Sequence, residues 1–222
     1  MNIFWFRRDL RLDDNVGLFH ALNSTEEVLP VFIFDDSILD ELPKDDARVT
    51  FIHELLSKIQ EQLALQGKSL AVFHGKPVAV FKQLISEHSI STVYTNHDYE
   101  PYARKRDKEI NQLLKEHGID FKTSKDQVIF EKSEVVKDDG LPYVVYTPYS
   151  KKWKEKFKTI ALLNYNSEER ISTIATHSYP FLSLSEIGFQ KSGIEVSPYI
   201  VSENLISNYE ATRNFPALSG TS

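Results

Sequence analysis

The first fifteen residues, MNIFWFRRDLRLDDN (residues 1–15), decide the fold. A short apolar run, Ile3–Phe6, ends in a cluster of charged residues, and Asn15 then opens a segment of helical period. Such a run is typical of a buried strand, because the strands of a parallel sheet are covered on both faces. The stretch therefore predicts a β-strand, a polar loop at its carboxyl end and a helix.

The same unit recurs along the chain, and this alternation is typical of βαβ units around a parallel sheet. The predicted strands are Ile3–Phe6, Val28–Phe34, Ser69–Phe73, Thr92–Thr95 and, as the fifth, either Ile119–Lys122 or Gln127–Phe130. The predicted helices are Asn15–Leu22, Asp46–Gln66, Pro77–Glu87, Pro101–Glu116 and Pro148–Leu163. We therefore predict an α/β fold, a doubly wound five-stranded parallel Rossmann-like sheet that turns back between strands one and four.

The composition excludes several classes of function. The 222 residues carry a net charge of -6, so the chain has no overall electrostatic attraction to nucleic acid. It has no cysteine, which excludes disulfides and thiolate chemistry, and its seven histidines lack the spacing of a metal site. No targeting pattern or 18-residue apolar span is present. We expect a cytoplasmic protein with no metal and no membrane contact.

The pattern changes in the last third of the chain. Residues 1–130 hold the predicted sheet, and a further packing helix extends this domain to about residue 163. Residues 164–196 have little periodicity and predict an interdomain linker wrapped on the surface. Ser197 and Pro198 then open an amphipathic helix that runs to Arg213, and one such helix cannot form a domain by itself. Residues 197–222 are therefore predicted to begin a second domain.

Charged segments follow three of the predicted strands, and ligands of doubly wound sheets bind at such carboxyl ends. These segments read RRDLRLDDN, FDDS and NHDYEPYARKRD. No GxGxxG, GxxxxGK[ST] or GxSxG motif is present, which disfavours ordinary dinucleotide binding, P-loop chemistry and hydrolase chemistry. The carboxylates in these segments can be acid/base pairs or can cap helices and bind arginine, and their spacing alone favours capping. They are Asp35, Asp36, Asp98 and Glu100.

Four ordered motifs resemble the DNA photolyase/cryptochrome family, and the pattern is closest to its microbial cyclobutane-dimer photolyases. The motifs are WFRRDLRLDDN, NHDYEPYARKRD, YTPYSKKW and YEATRNFPALSGTS, and together they cover the whole chain. The resemblance implies the N-terminal antenna domain, the linker and the first helix of an all-α FAD-binding domain. The function that it implies is light harvesting for the FAD-dependent repair of pyrimidine dimers in DNA.

In this family the FAD pocket and the DNA-binding surface belong mainly to the helical domain. By resemblance, Tyr209, Thr221 and Ser222 contact FAD, and Arg213 faces DNA. The rest of both sites is expected beyond Ser222, in the C-terminal domain of the same protein, where UV-damaged DNA also binds. We therefore expect no catalytic residue in this chain and no repair by this chain alone.

The resemblance also indicates which antenna pigment is bound. The folate-binding version needs a Glu where this chain has Ala103 and a polar Asn where it has Tyr102, so methenyltetrahydrofolate is disfavoured. The version that binds 8-hydroxy-5-deazaflavin or FMN is matched instead, and an Arg8 or Arg48 guanidinium can reach the pigment's phosphate. The predicted pigment contacts are Arg8, Ile33, Phe34, Asp35, Arg48, Asp98 and Glu100.

Two other functions stay open on the sequence. The same fold occurs in cryptochromes, which the resemblance equally implies and which signal in response to light without repairing DNA. A stand-alone nucleotide-binding α/β module is the other alternative. The absence of phosphate-binding loops and the unpartnered helix before Arg213 weaken that interpretation.

Overall fold

The computed structural model describes residues 1–194, 202–215 and 217. Its contacts divide the chain into two units, Met1–Lys191 and Ser192–Ser222. The first unit contains the sheet, and the described part of the second contains two short helices.

A five-stranded, all-parallel sheet forms the centre of the first unit, as predicted. The strands are β1 (Asn2–Phe6), β2 (Val28–Phe34), β3 (Ala71–His74), β4 (Thr92–Asn96) and β5 (Asp120–Ser124). Their order is β3-β2-β1-β4-β5, so the sheet turns back between β1 and β4. Of the two alternatives for the fifth strand, the one near residue 120 is correct. The switch point lies where the charged segments after β1, β2 and β4 meet.

Helices cover the sheet and connect its strands. In the first unit they are α1 (Val16–Leu22), α2 (Asp36–Leu39), α3 (Ala47–Ala64), α4 (Pro77–Glu87), α5 (Pro101–Glu116) and α6 (Tyr146–Phe157), with 3-10 turns at Lys132–Glu134 and Ser167–Thr173. In the second unit they are α7 (Glu203–Ser207) and α8 (Tyr209–Thr212). The short helix α2 was not predicted, and its N-cap is Asp35.

The core has two layers, one on each face of the sheet. On β1, Phe4 and Phe6 pack on one face with α1 and α3, whereas Ile3 and Trp5 pack on the other with α4 and α5. All of these strand residues are at most 2% exposed. This arrangement is why the strand reads as a continuous apolar run rather than an alternating one.

Gly17 allows α1 to approach the sheet closely. A Cβ atom at this position would lie 2.7 Å from Asn96 Oδ1 and 2.9 Å from Phe4 Cε2. The Gly17 backbone N–H donates to the same Asn96 Oδ1 at 2.9 Å. The helix is therefore held against β1 and β4 by a contact that only glycine permits.

Residues 164–191 lie within the same compact unit as the sheet, although we predicted a linker from residue 164. The segment is irregular, as expected, but it buries apolar side chains, including Ile174 and Phe189. Ile174 forms an isolated bridge with Val28, and the Ala175 N–H donates to the Val28 carbonyl at 2.8 Å. The contacts divide the chain after Lys191, a position within the predicted linker, residues 164–196.

Two predicted helices differ from the observed ones. Helix α6 ends at Phe157 instead of Leu163, and none of its residues is buried. Its Trp153 ring stacks on Phe157 at 5.0 Å and meets the Phe130 edge at 5.4 Å, so α6 packs on the loop after β5. The helix predicted over 198–213 is described only from residue 202, where it forms α7 and α8, which meet at Asn208.

Candidate ligand site at the switch point of the sheet

A cavity of about 370 Å³ opens at the carboxyl ends of β1 and β2, beside the segment that follows β4. This is the place where doubly wound sheets bind ligands. All of the predicted pigment contacts line this one cavity, although they come from four separate segments of the chain. They are Arg8, Ile33, Phe34, Asp35, Arg48, Asp98 and Glu100.

The inner wall of the cavity is apolar and aromatic. Ile33 and Phe34 at the end of β2 are 6% and 3% exposed, and Trp5 at the end of β1 is 2% exposed. Ile52 of α3 and Leu39 of α2 also line the cavity. Such a wall with a few polar groups on its rim is typical of small-molecule sites.

Asp35 joins two sides of the cavity. Its Oδ1 accepts the Ser37 N–H at 3.0 Å and so caps α2. Its Oδ2 accepts a hydrogen bond from the Tyr102 hydroxyl of α5. Burial and the Asp35 carboxylate both raise the pKa of Tyr102, so its hydroxyl remains protonated. The capping interpretation therefore accounts for one oxygen of Asp35, and Tyr102 occupies the other.

Asp98 and Glu100 sit between arginines at the cavity rim. Arg8 Nη1 lies 2.6 Å from Glu100 Oε1 and 3.9 Å from Asp98 Oδ1, and Arg106 Nη2 lies 3.8 Å from Asp98 Oδ2. The Asp98 side chain is only 8% exposed, whereas those of Arg8 and Glu100 are 57% and 65% exposed. Asp98 is thus fixed by partners in the wall, while the exposed Arg8–Glu100 pair can rearrange at little cost.

Arg48 stands in the first turn of α3 at the opposite rim. Its guanidinium pairs with Asp46 at 2.8 Å and its side chain is 72% exposed. Hydrogen bonds from Arg48 lower the pKa of Asp46 to about 2. Arg8 and Arg48 therefore supply two exposed cationic groups to the cavity mouth.

The sequence analysis missed the cationic cluster behind the cavity. The Arg106 guanidinium lies 4.9 Å from the Trp5 ring centroid and the Arg7 guanidinium lies 5.2 Å from it. Asp107 pairs with both arginines, at 2.5 Å from Arg7 Nη1 and 3.2 Å from Arg106 Nη2. The spacing of Tyr102 and Arg106, four residues apart on α5, is the signal that places them on one helix face.

The other predicted contacts belong to the second unit. There, the Arg213 guanidinium lies 5.9 Å from the Tyr209 ring centroid. Thr221 and Ser222, the remaining predicted FAD contacts, lie outside the described residues.

Within the described ranges, no group of three His, Asp or Glu side chains is placed to hold a metal ion. No helix in this described part combines the length and apolar character needed to cross a membrane.

A doubly wound sheet with a lined cavity at its switch point is typical of α/β ligand-binding domains. The model of the DNA photolyase family matches residues 2–168. The chain belongs to the DNA photolyase family, and its fold is that of the photolyase N-terminal domain.

Individual relatives agree with this assignment. A deoxyribodipyrimidine photo-lyase of Synechococcus sp. is 31% identical over 99% of this chain and 49% of its own length. Cryptochrome-1 of Drosophila melanogaster is 32% identical over 65% of this chain and 28% of its own length. The crystal structure of a class III photolyase from Agrobacterium tumefaciens matches 95% of this chain and 41% of that chain, with a TM-score of 0.66 and 25% identity. The chain thus spans about half the length of the curated photo-lyase that it matches.

Proposed function

We propose that this chain is the light-harvesting part of a deoxyribodipyrimidine photo-lyase and that the switch-point cavity holds a flavin-type antenna pigment. The observation that carries the proposal is the convergence of all seven predicted pigment contacts on one cavity. Those contacts follow from motif positions that are distant in the sequence, so their meeting at one site supports the family's pigment role for it.

The residues present fit a flat, polar-edged ring. The cavity of about 370 Å³ lies within the range for small-molecule sites, toward its lower end. Phe34 and Ile33 supply an apolar wall, and Asp98 and Asp35 supply acceptors for N–H or hydroxyl groups. The exposed Arg48 suits a phosphate on the pigment's chain.

A flavin-type pigment, 8-hydroxy-5-deazaflavin or FMN, fits better than methenyltetrahydrofolate. Ala103, at the position of the glutamate that the folate version needs, is 3% exposed and offers no polar group. The pigment, once bound, absorbs light and passes the energy on, for which the protein supplies spacing and orientation.

Titration of the purified chain with FMN, 8-hydroxy-5-deazaflavin and methenyltetrahydrofolate tests the pigment assignment. We expect the flavins to bind more tightly and to quench the fluorescence of Trp5, which lines the cavity. The variant W153F serves as a control, because Trp153 packs on Phe130 and Phe157 and does not line this cavity. It should retain the quenching. Tighter binding of the folate would contradict the assignment.

The second unit belongs, in this proposal, to the FAD- and DNA-binding part of the protein. Tyr209, Thr221 and Ser222 would contact FAD, and Arg213 would face UV-damaged DNA. The rest of that pocket lies in the C-terminal domain of the same protein, and a cytoplasmic location fits the composition. No residue of the first unit is proposed as catalytic.

A cryptochrome function is the second candidate, favoured by the match to a Drosophila cryptochrome. The two functions share the fold and the cavity, so this site does not distinguish them. They differ in whether the full-length protein removes pyrimidine dimers under light. Light-dependent removal of dimers by the full-length protein would support the photo-lyase. Flavin photoreduction without loss of dimers would support the cryptochrome.

A further inference from the structure

We propose that Tyr102 is a latch on the cavity: its hydroxyl holds the Asp35 carboxylate until an N–H group on the edge of the pigment ring replaces it. This inference rests on the proposed pigment function and adds the residue pair that selects the ligand. The ligands it favours are flat heterocycles with a ring N–H donor, such as the N3–H of FMN or of 8-hydroxy-5-deazaflavin.

The bond between Tyr102 and Asp35 spans the cavity. Asp35 follows β2 and caps α2, whereas Tyr102 lies in the first turn of α5, which follows β4. Both residues line the same cavity, and their side chains meet through the hydroxyl and Oδ2. The Ser37 side chain of α2 also hydrogen-bonds the Tyr102 hydroxyl, so both of these contacts between the β2–α2 segment and α5 depend on that one hydroxyl. The hydroxyl is therefore a removable connection between two separately anchored walls.

Asp35 cannot lose this partner without replacement. The residue is 6% exposed, and its other oxygen is committed to the Ser37 N–H at 3.0 Å. A buried carboxylate oxygen left without a donor is costly, because it loses water and gains nothing. A ligand that displaces Tyr102 must then offer a donor of its own, and one without an N–H group is rejected.

Tyr102 is free to move, in contrast to Asp35. It is 38% exposed at the cavity mouth, and besides Asp35 it contacts the Ser37 side chain and, at 5.8 Å from its ring centroid, the Arg106 guanidinium. Arg106 also contacts Asp107 at 3.2 Å and the Trp5 ring at 4.9 Å, and neither of these contacts involves Tyr102. The cavity of about 370 Å³ lies toward the lower end of the range for small-molecule sites, so opening the latch adds room for the ring.

The latch makes an unusual prediction: removing the hydroxyl should improve binding. In the native chain, pigment binding replaces one hydrogen bond to Asp35 with another. In Tyr102→Phe, binding supplies a hydrogen bond that the free protein lacks, so we expect the FMN dissociation constant to fall about ten-fold. The association rate should also rise, since no bond has to break first.

Tyr99→Phe is the matched control. The Tyr99 hydroxyl also donates to a carboxylate, Glu131 Oε2 at 2.7 Å, but Tyr99 does not line this cavity. The variant Tyr99→Phe should leave the FMN affinity unchanged.

The role of Asp35 is tested by comparing FMN with its N3-methyl derivative in the native chain and in Asp35→Asn, since asparagine keeps the N-cap. The native chain should prefer FMN about ten-fold, and Asp35→Asn should lose that preference.

The measurements are equilibrium titration and stopped-flow binding, with thermal unfolding to show that each variant is folded. Tighter FMN binding by Tyr102→Phe, and not by Tyr99→Phe, supports the latch. Equal or weaker binding by a folded Tyr102→Phe overturns it, while flavin binding by the native chain would leave the pigment proposal standing. If neither the native chain nor any variant binds either flavin, both proposals are wrong.

Discussion

At the scale of single residues, a buried polar network fixes the loop after β1. Asn96 Nδ2 donates to Asn15 Oδ1 at 2.8 Å and to the Asp9 carboxylate, while Asn96 Oδ1 accepts the Gly17 N–H. Asp9, Asn15 and Asn96 are all at most 4% exposed, so each needs these partners. The network thereby orients the charged loop that carries Arg8 to the cavity.

Gly17→Ala tests this close contact. A methyl group 2.7 Å from Asn96 Oδ1 and 2.9 Å from Phe4 forces buried groups to shift, and we expect a loss of about 1–3 kcal/mol in unfolding free energy. The small gain in helix propensity would not offset this cost. Gly193→Ala is the control, because a Cβ atom there meets nothing within 4 Å. Chemical denaturation measures both, and an unchanged stability of Gly17→Ala would contradict the packing argument.

At the scale of elements, the irregular segment 164–191 acts as a cover for the core. His177 attaches it to the start of β3: its Nε2 lies 3.0 Å from the Ser69 carbonyl, and its Nδ1 accepts the Tyr179 N–H at 3.2 Å. This pattern requires the neutral ring, with the proton on Nε2. Burial lowers the pKa of His177. The hydrogen bond to the Ser69 carbonyl raises it, but by less, so the pKa remains below its ordinary value.

The lowered pKa predicts a pH dependence. Since the unfolded chain binds the proton more readily, the stability due to neutral His177 is complete above the ordinary pKa of about 6.5 and is lost as the pH falls toward the folded value. Unfolding free energies of the native chain and of His177→Gln, measured from pH 7.5 to 5, should therefore converge at low pH. His20→Gln, at an exposed position, is the control. Parallel curves for the native chain and His177→Gln would show that this ring does not titrate as expected.

The elements also show what the sequence could predict. Four of the five strands and the helices after β3 and β4 follow from apolar runs and proline at the first helical turn. Helix α6 was predicted too long because Leu162 and Leu163 continue its apolar pattern, although they are 66% and 67% exposed. The burial of residues 164–191 has no periodic signal, and the Asp35–Tyr102 bond joins residues 67 positions apart. Such contacts depend on tertiary structure.

At the scale of the whole molecule, the proposed function assigns light harvesting to the first unit and the FAD and DNA contacts to the second. The first unit has a complete cavity of its own, whereas the proposed FAD and DNA contacts are confined to the second unit, Ser192–Ser222. The net charge of -6 is consistent with a part that does not neutralise DNA phosphates.

We accordingly expect the purified 222-residue chain to repair no DNA. Under blue or near-UV light, with FAD and a reductant added, the content of pyrimidine dimers in irradiated DNA should stay constant. A complete photolyase assayed in parallel is the positive control. Loss of dimers with the chain alone would refute this division of labour.

The central position of β1 has a consequence for how the protein is made. This strand is synthesised before the other strands of the sheet, yet its second neighbour, β4, pairs with it 90 positions later, at Asn2 and Thr92. Closing so long a loop is slow, because the entropy of the intervening chain is lost before the contacts form. A growing chain therefore carries Phe4, Trp5 and Phe6 on an open strand edge until residue 96 has left the ribosome. We expect nascent chains shorter than this to depend on chaperones and longer ones to become protease-resistant.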